Sequence, residues 1–472
     1  MVSMSARFSF IKTWLAFPCG RFHPFRFSMR SFFLSLLLAL PLYAETAPDP
    51  ALLEEINKIR AIDNHAHPLG SLNEGEKDDE FEVADSIPAR VLPVRLRPDN
   101  PEYLGAWRAL YGYRGEGKTE ADAEELLKAK AHRRQEKGLA YPAWVLDQLG
   151  IETMLANRMV MGRGLDAPRF RWVWHANPFL FPLNNDEGKQ SNPQRQADFT
   201  TDEGYLKRYL AEAGLASLPD TLDEYLTKLV IPIIEKRKAK GAIAAKFYAA
   251  YMRSLDFADV PEAEAAPIYA RYIHGGAPGA VEYKALQDFL FRRIALECGR
   301  VGFSVHIHVG AGAGGWFYNR DASPFLLDSV LNDPALRGTK FVLIHGGLPF
   351  AQATRMLIGR PNVYADFSSQ AFLTSTRELS HVIRTWLEAF PEKVLFGTDS
   401  YPETKTVGWE EIAWLTTKSG REALALALTE MMQDGEISRT RATELAQMVL
   451  RGNALDLYGP LLQPAAQAPS QH

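Results

Sequence analysis

Of 472 residues only two are cysteine, Cys19 and Cys298. Cys19 falls in an N-terminal leader, so the mature chain has no partner for Cys298 and no internal disulfide. Neither cysteine sits in a metal-ligand or nucleophile pattern. A surplus of positive charge is also missing: the net charge is −4 and the pI is about 6.3. Nucleic-acid binding therefore has no electrostatic support. No stretch of the mature chain supplies the ~20 consecutive apolar residues of a membrane-spanning helix. No internal repeat is present, and no glycine-rich phosphate fingerprint follows the first predicted strand, which argues against a nucleotide-binding sheet. The charge runs 74–82 and 118–137 read as solvated loop and helix surfaces.

What is present begins with an export signal. Met29-Arg30 precede the apolar run Phe32 to Leu40, and Leu42-Tyr43-Ala44 resembles a cleavage site. Such a core is short for a permanent anchor, so residues 1–44 are expected to be removed, with Met29 an alternative start. The mature protein is then expected in the periplasm or secreted, as one domain over 45–460 followed by a disordered tail over 461–472. With 46% apolar residues, that length can bury a large core.

Eight apolar strands can be read in order. They start with Ala61 to His67, then Ile151 to Ala156 and Phe170 to Trp174, the latter two each preceded by helix-like sequence. Next come Ala242 to Phe247, Phe303 to Val309, Lys340 to His345, Asn362 to Asp366 and Lys393 to Gly397. Between the third and fourth, Leu222, Tyr225, Leu226, Leu229, Ile233 and Ile234 form an apolar stripe at helical spacing. Asp220 is its expected cap, Pro232 an expected kink and Gly241 its end. A second helix is expected from Val281 to Cys298, and two more at 421–432 and 440–450. Buried strands alternating with helices predict an α/β fold, a (β/α)8 barrel with insertions after strands 1 and 3 and C-terminal helices. A doubly wound open sheet is the alternative.

Polar residues gather where these strands end, and in such a barrel all strand ends converge on one mouth. Alternation along a strand puts His65 and His67 of Asp63-Asn64-His65-Ala66-His67 on one side. Lys246 lies in strand 4, His306 and His308 in strand 5, His345 at the end of strand 6 and Asp399 after strand 8. Five of the eleven histidines thus sit at strand ends. Neutral imidazoles hold divalent ions, an ion activates water, and a carboxylate beside it moves the proton. Asp399 is the residue placed for that transfer. Lys246 can carry a carbamate that bridges two metals, or remain an ammonium that pairs with a carboxylate; a structural ion pair is the plain alternative. Tyr251 and Arg253, just after strand 4, are candidates for substrate contact together with His306. The loop Gly310 to Gly315 suits a flexible lid better than a phosphate cradle, since no P-loop lysine follows. Trp172 and Trp174 are expected to pack, as is His175, with a lesser reading as a ligand. His132, His274 and His381 are expected to be structural or solvent-exposed, and Asp366 to support the site.

The set Asp63 to His67, Lys246 to Tyr251, His308-Val309-Gly310, Ile344-His345-Gly346-Gly347 and Gly397-Thr398-Asp399 resembles the amidohydrolase superfamily. It is most similar to its amidohydrolase-related (family 2) branch, including the amidohydrolase-like domain fused to glutamine synthetase in larger proteins. The closing Asn453 to Gly459 also looks like that branch's ending. The resemblance implies His65, His67, His308 and His345 as metal ligands, Asp399 as ligand and proton shuttle, and Lys246 as the bridge in two-metal members. His306 shares a face with His308; His308 is preferred because Val309-Gly310 follows it. The implied cofactor is a divalent metal, zinc by type, as one ion or two. The implied activity is hydrolysis of an amide, ester or lactone bond in a small molecule. Non-oxidative decarboxylation of a carboxylic acid is the runner-up, and a non-catalytic metal-binding protein comes third. A homodimer is compatible with the resemblance.

Overall fold

A computed structural model of the protein describes residues 46–71, 78, 91–314 and 316–462. Its centre is one eight-stranded sheet in which neighbours in sequence are neighbours in space and all pairs are parallel. The strands are β1 (Ala61–Ala66), β2 (Ile151–Asn157), β3 (Phe170–His175), β4 (Ala242–Phe247), β5 (Ser304–His308), β6 (Lys340–Ile344), β7 (Val363–Asp366) and β8 (Val394–Leu395). Backbone hydrogen bonds carry the ladder from β8 back to β1. Asn64 N–H donates to Phe396 O (2.9 Å), Asp399 N–H to His65 O (2.7 Å) and His67 N–H to Ser400 O (2.7 Å). The sheet closes into the predicted barrel, which leaves no edge strand exposed.

Strand alternation sorts the side chains. Val305, Ile307, Phe341, Leu343, Val363 and Ala365 face outward and join the large core beneath the surrounding helices. Their neighbours face the barrel axis in tiers. The lower tier is apolar, with Ile62, Leu155, Val173, Ala244, Val342 and Leu395 packed against Ala454, Leu457 and Tyr458 of the C-terminal helix Asn453–Tyr458. This helix covers the N-terminal ends of the strands. Asn453 Nδ2 donates to Pro391 O and Val394 O (both 2.8 Å), and Lys340 Nζ to Leu457 O (2.6 Å). Above that tier the inward residues become polar.

Between β1 and β2, helices Tyr103–Tyr111, Glu120–Lys137 and Tyr141–Gln148 form the first insertion. Ion pairs tie it to the long helix Trp409–Gln433: Lys130 Nζ lies 2.8 Å from Glu411 in a buried pair, and the exposed Arg134 lies 2.8 Å from the buried Glu410. A second insertion separates β3 from β4.

Three local expectations need correction. No helix precedes β3, because residues 158–169 cross from β2 as a loop without strand or helix. That dozen residues is about the minimum for a parallel connection. Thr221, not Asp220, caps the following helix, its hydroxyl accepting from Glu224 N–H. The helix then runs through a π-helical stretch, Tyr225–Val230, ahead of Pro232, where the proline's missing N–H is tolerated. Ordered chain also extends through the short 3-10 turn Gly459–Leu462, beyond the expected domain end. The apolar leader lies outside the described residues, and among those described no helix is long and apolar enough to cross a membrane.

Candidate metal centre

At the C-terminal ends of the strands, β1 departs from simple alternation. Its register with β2 shifts between Asp63 and Ala66. As a result both Asn64 and His65 place their side chains inside the barrel. Asp63 stabilises the irregularity, accepting from Thr398 N–H (3.0 Å), Thr398 Oγ1–H (2.6 Å) and His65 N–H (3.2 Å). Burial pushes the Asp63 carboxyl up to about 7 despite these donors.

Donor atoms converge above this seam. His65 Nε2 lies 3.3 Å from His67 Nε2, 3.2 Å from Asp399 Oδ1 and 3.5 Å from Lys246 Nζ. His67 Nε2 lies 3.4 Å from the same Asp399 oxygen. Four ligands held ~2.0–2.1 Å from a tetrahedral ion are separated by about 3.3–3.4 Å. The residues therefore fit a tetrahedrally held divalent cation both in donor type and in spacing. The second Asp399 oxygen faces His345, with Oδ2 3.7 Å from Nδ1. His65, His345 and Asp399 together offer ligand atoms within 4.8 Å of one another. The His308 and His345 rings lie 4.6 Å apart, and the buried Nε2 of His308 has no hydrogen-bond partner among the described residues. Such an orphaned donor is what a ligand position leaves before its ion binds.

Burial favours the neutral form of His65, His308 and His345. Burial drives His65 and His308 well below the ordinary histidine range, and the Lys246 charge adds to it. For His345, burial comes first, followed by His308 and Lys246. A neutral imidazole has the lone pair that a metal needs. Backbone strain marks the same place. Only His345 (φ 69°), Ser369 (φ 59°) and Asp399 (φ 52°) are non-glycine residues with positive φ among those described. Two of the three carry donors of this cluster, and strain held by its surroundings is characteristic of working sites. Gly346 continues the left-handed turn at φ 55°, where a Cβ would lie 2.1 Å from the Trp386 ring.

Beneath the donors lies a hydrogen-bonded layer. Ser368 Oγ–H donates to Asp366 Oδ1 (2.5 Å), so the serine oxygen accepts from His345 Nδ1–H (2.9 Å) and leaves Nε2 with its lone pair. Asp366 also accepts from His345 N–H (2.8 Å) and Asn64 Nδ2 (2.7 Å). His306 is one tier deeper than His308: it is fully buried and bonds Tyr458 Oη at 2.8 Å through Nε2. Its expected place against a substrate is thereby corrected. Arg253 is corrected too. Its guanidinium donates to Asp288, Gln287, Ser254 O and Asp256 O, so four of its five N–H groups are turned away from the mouth and tied to its own loop and the following helix. Tyr251 does reach the mouth, its ring 4.6 Å from that of His308, and its hydroxyl accepts from Ala313 N–H in the glycine-rich loop. His175 faces the axis beside Lys246, with which it pairs across β3 and β4.

Several neighbours carried no signal in the sequence. Asn157, at the end of β2, meets His65 Nδ1 at 2.8 Å. Arg195, from the second insertion, stacks over the Tyr251 ring at 4.8 Å and donates to Ala313 O. Ser368 lies in a stretch without a motif, and Tyr458 in the Asn453 to Gly459 ending, whose resemblance gives that tyrosine no role.

Comparison with known families bears on this centre. The amidohydrolase family model matches residues 173–459, more than half of the chain. The chain belongs to the amidohydrolase family. Amidohydrolases of this family are metal-dependent enzymes acting on small molecules. The chain is also similar to protein FluG of Emericella nidulans, 26% identical over 197 residues. That match covers 40% of this chain and 22% of FluG, so the chain spans about a fifth of that relative's length. Among solved structures, a candidate metal-dependent hydrolase from Lactobacillus casei superposes with a TM-score of 0.56 at 16% identity, over 88% of this chain and 98% of its own. Glucuronate isomerase from Caulobacter crescentus gives 0.59 at 14% identity, over 91% and 98%. At these identities the likeness of the amidohydrolase chain to its structural neighbours shows the fold alone.

Proposed function

We propose that this amidohydrolase is a hydrolase that cleaves an amide, ester or lactone bond of a small molecule with metal-activated water. The observation that carries the reading is the spacing of His65 Nε2, His67 Nε2 and Asp399 Oδ1, 3.2–3.4 Å apart. His65, His67 and Asp399 would hold one divalent ion, and His308 and His345 would hold a second beside it. Lys246, whose Nζ lies 3.5 Å from His65 Nε2, would serve both positions if carboxylated. A bound divalent ion supplies Lewis acidity that brings a water toward ionisation near neutral pH. Asp399 accepts the water's proton at its carboxylate and returns it to the leaving group. A protein that merely stores metal has no use for that strained carboxylate.

Metal content tests the reading. The purified protein is expected to carry two equivalents, and Lys246→Ala one or fewer. One equivalent, unchanged in Lys246→Ala, removes the bridge and favours the second reading, a decarboxylase-type lyase. That reading draws on the excess of cations near the mouth, where Lys246 and Arg195 both bear on His308. Neighbours of this fold include a glucuronate isomerase, so fold does not choose between reaction classes. A screen of amides, lactones and aromatic carboxylates against the metal-loaded protein distinguishes them. We also propose export, on the strength of the apolar run Phe32 to Leu40; the mass of the mature N-terminus tests it.

A further inference from the structure

Tyr458 is the place where the barrel's floor meets its chemistry. The residue belongs to the C-terminal helix, and its ring passes through the apolar tier formed by Ile62, Leu155, Val173, Val342 and Leu395. A tyrosine buried among aliphatic side chains needs a partner for its hydroxyl, and here it has two. The hydroxyl donates to Asn64 Oδ1 and accepts from His306 Nε2. Because Tyr458 fills Asn64 Oδ1, the amide is oriented with Nδ2 toward Asp366 Oδ2, 2.7 Å away. Asp366 in turn holds the His345 backbone N–H and the Ser368 hydroxyl on its other oxygen. Ser368 then accepts from His345 Nδ1. Every member of this relay is at least 96% buried.

We propose that Tyr458 is a positioning residue for the metal centre, fixing the His345 ring through Asn64, Asp366 and Ser368. The inference rests on the reading of His345 as a metal ligand. Its physical basis is that a His345 ring held only by Ser368 can turn about its χ angles, whereas the relay defines one orientation and one tautomer. Partners of this kind, beyond the ligands themselves, commonly change metal affinity by ~10–100-fold when removed. A tyrosine far downstream of the last strand thereby shares in building a centre at the opposite end of the barrel.

The test uses Co2+ as the probe on the full chain. Titration of the metal-free protein, followed by the visible absorption of the bound ion, gives affinity and ligand geometry without any substrate. Tyr458→Phe keeps the ring and its apolar contacts; it is expected to weaken Co2+ binding about 10-fold and to shift the absorption bands. Leu457→Ala, which damages packing of the same helix in the same tier, is expected to lower the melting temperature yet leave affinity and spectrum unchanged. Asn64→Ala cuts the relay at its next member, gives the same signature as Tyr458→Phe, and serves if that variant does not accumulate. Wild-type affinity and spectrum in Tyr458→Phe or Asn64→Ala overturn the proposal, as does a Leu457→Ala variant that reproduces their effect. If the unmutated protein binds no Co2+, the reading of the centre falls first and this inference with it. Binding that is intact in the parent and in Tyr458→Phe removes the inference alone.

Discussion

Replacing Asp63 separates two roles that one carboxyl plays at the seam between β8 and β1. Asp63→Ala leaves three buried donors without an acceptor: Thr398 N–H, the Thr398 hydroxyl and His65 N–H. At ~1–3 kcal/mol for each orphaned group, and with the Thr398 hydroxyl able to turn to Ser400, the two remaining N–H groups make the loss about 2–6 kcal/mol. Asp63→Asn is different. Its amide oxygen keeps the two N–H donors, and its NH2 donates to Thr398 Oγ1, whose proton passes to Ser400 Oγ at 3.1 Å. Asparagine here reproduces the protonated acid. Because the folded carboxyl is raised from 3.8 to about 7, its stabilisation is fully present below 3.8 and is lost as pH rises through 7. Linkage makes that loss about 2–3 kcal/mol between pH 5 and pH 8. The assay is urea denaturation of metal-free protein at each pH, reported as the difference between wild type and Asp63→Asn, in which the shared histidine titrations cancel. The variant is expected to exceed wild type already at pH 5, where the loss that begins above 3.8 has started, and by about 2–3 kcal/mol more at pH 8. A difference that stays flat, or wild type gaining on the variant as pH rises, refutes the reasoning.

Other outcomes follow from the same geometry. Asp399→Asn should abolish turnover on any substrate found while moving the thermal midpoint by only a few degrees; undiminished turnover removes Asp399 from the chemistry. Gly346→Ala forces a Cβ to 2.1 Å from Trp386 at φ 55°, and is expected to lower stability by more than about 3 kcal/mol in a denaturation curve. Lys130→Ala leaves Glu411 buried and uncompensated, at a cost of about 3–5 kcal/mol, and limited proteolysis should then find the first insertion cut before the barrel.

The barrel was legible because its information is local. Runs such as Ala242 to Phe247 and Lys340 to Ile344 are apolar on both faces, as strands covered by helices outside and packed side chains inside must be. The order of polar residues at their ends followed from the same reading, since a parallel barrel sends every strand end to one mouth. Layers within the barrel were harder to see. His306 and His308 share a face and a residue type, and depth alone assigns one to Tyr458 and the other to the mouth. Arg253 was expected at the mouth and Arg195 was not, for a similar reason. The first lies close in sequence to β4 but turns to Asp288, while the second arrives from an insertion whose path nothing in the sequence announces. The register shift in β1 was equally hidden, because strict alternation from the inward Ile62 would allow Asn64 or His65 inside but not both.

The floor under the barrel has a consequence for when the centre can exist. A ribosome releases all eight strands well before it reaches Tyr458, so a nascent chain holds the walls of the barrel without its stopper. During that interval Asn64 and His306 face an open, wettable shaft. The polar tier therefore cannot settle on one set of hydrogen bonds until the C-terminal helix docks. Premature capture of an ion by a half-made site is disfavoured by order of synthesis rather than by affinity, and truncation before residue 453 should give a chain rich in β-structure with no defined centre.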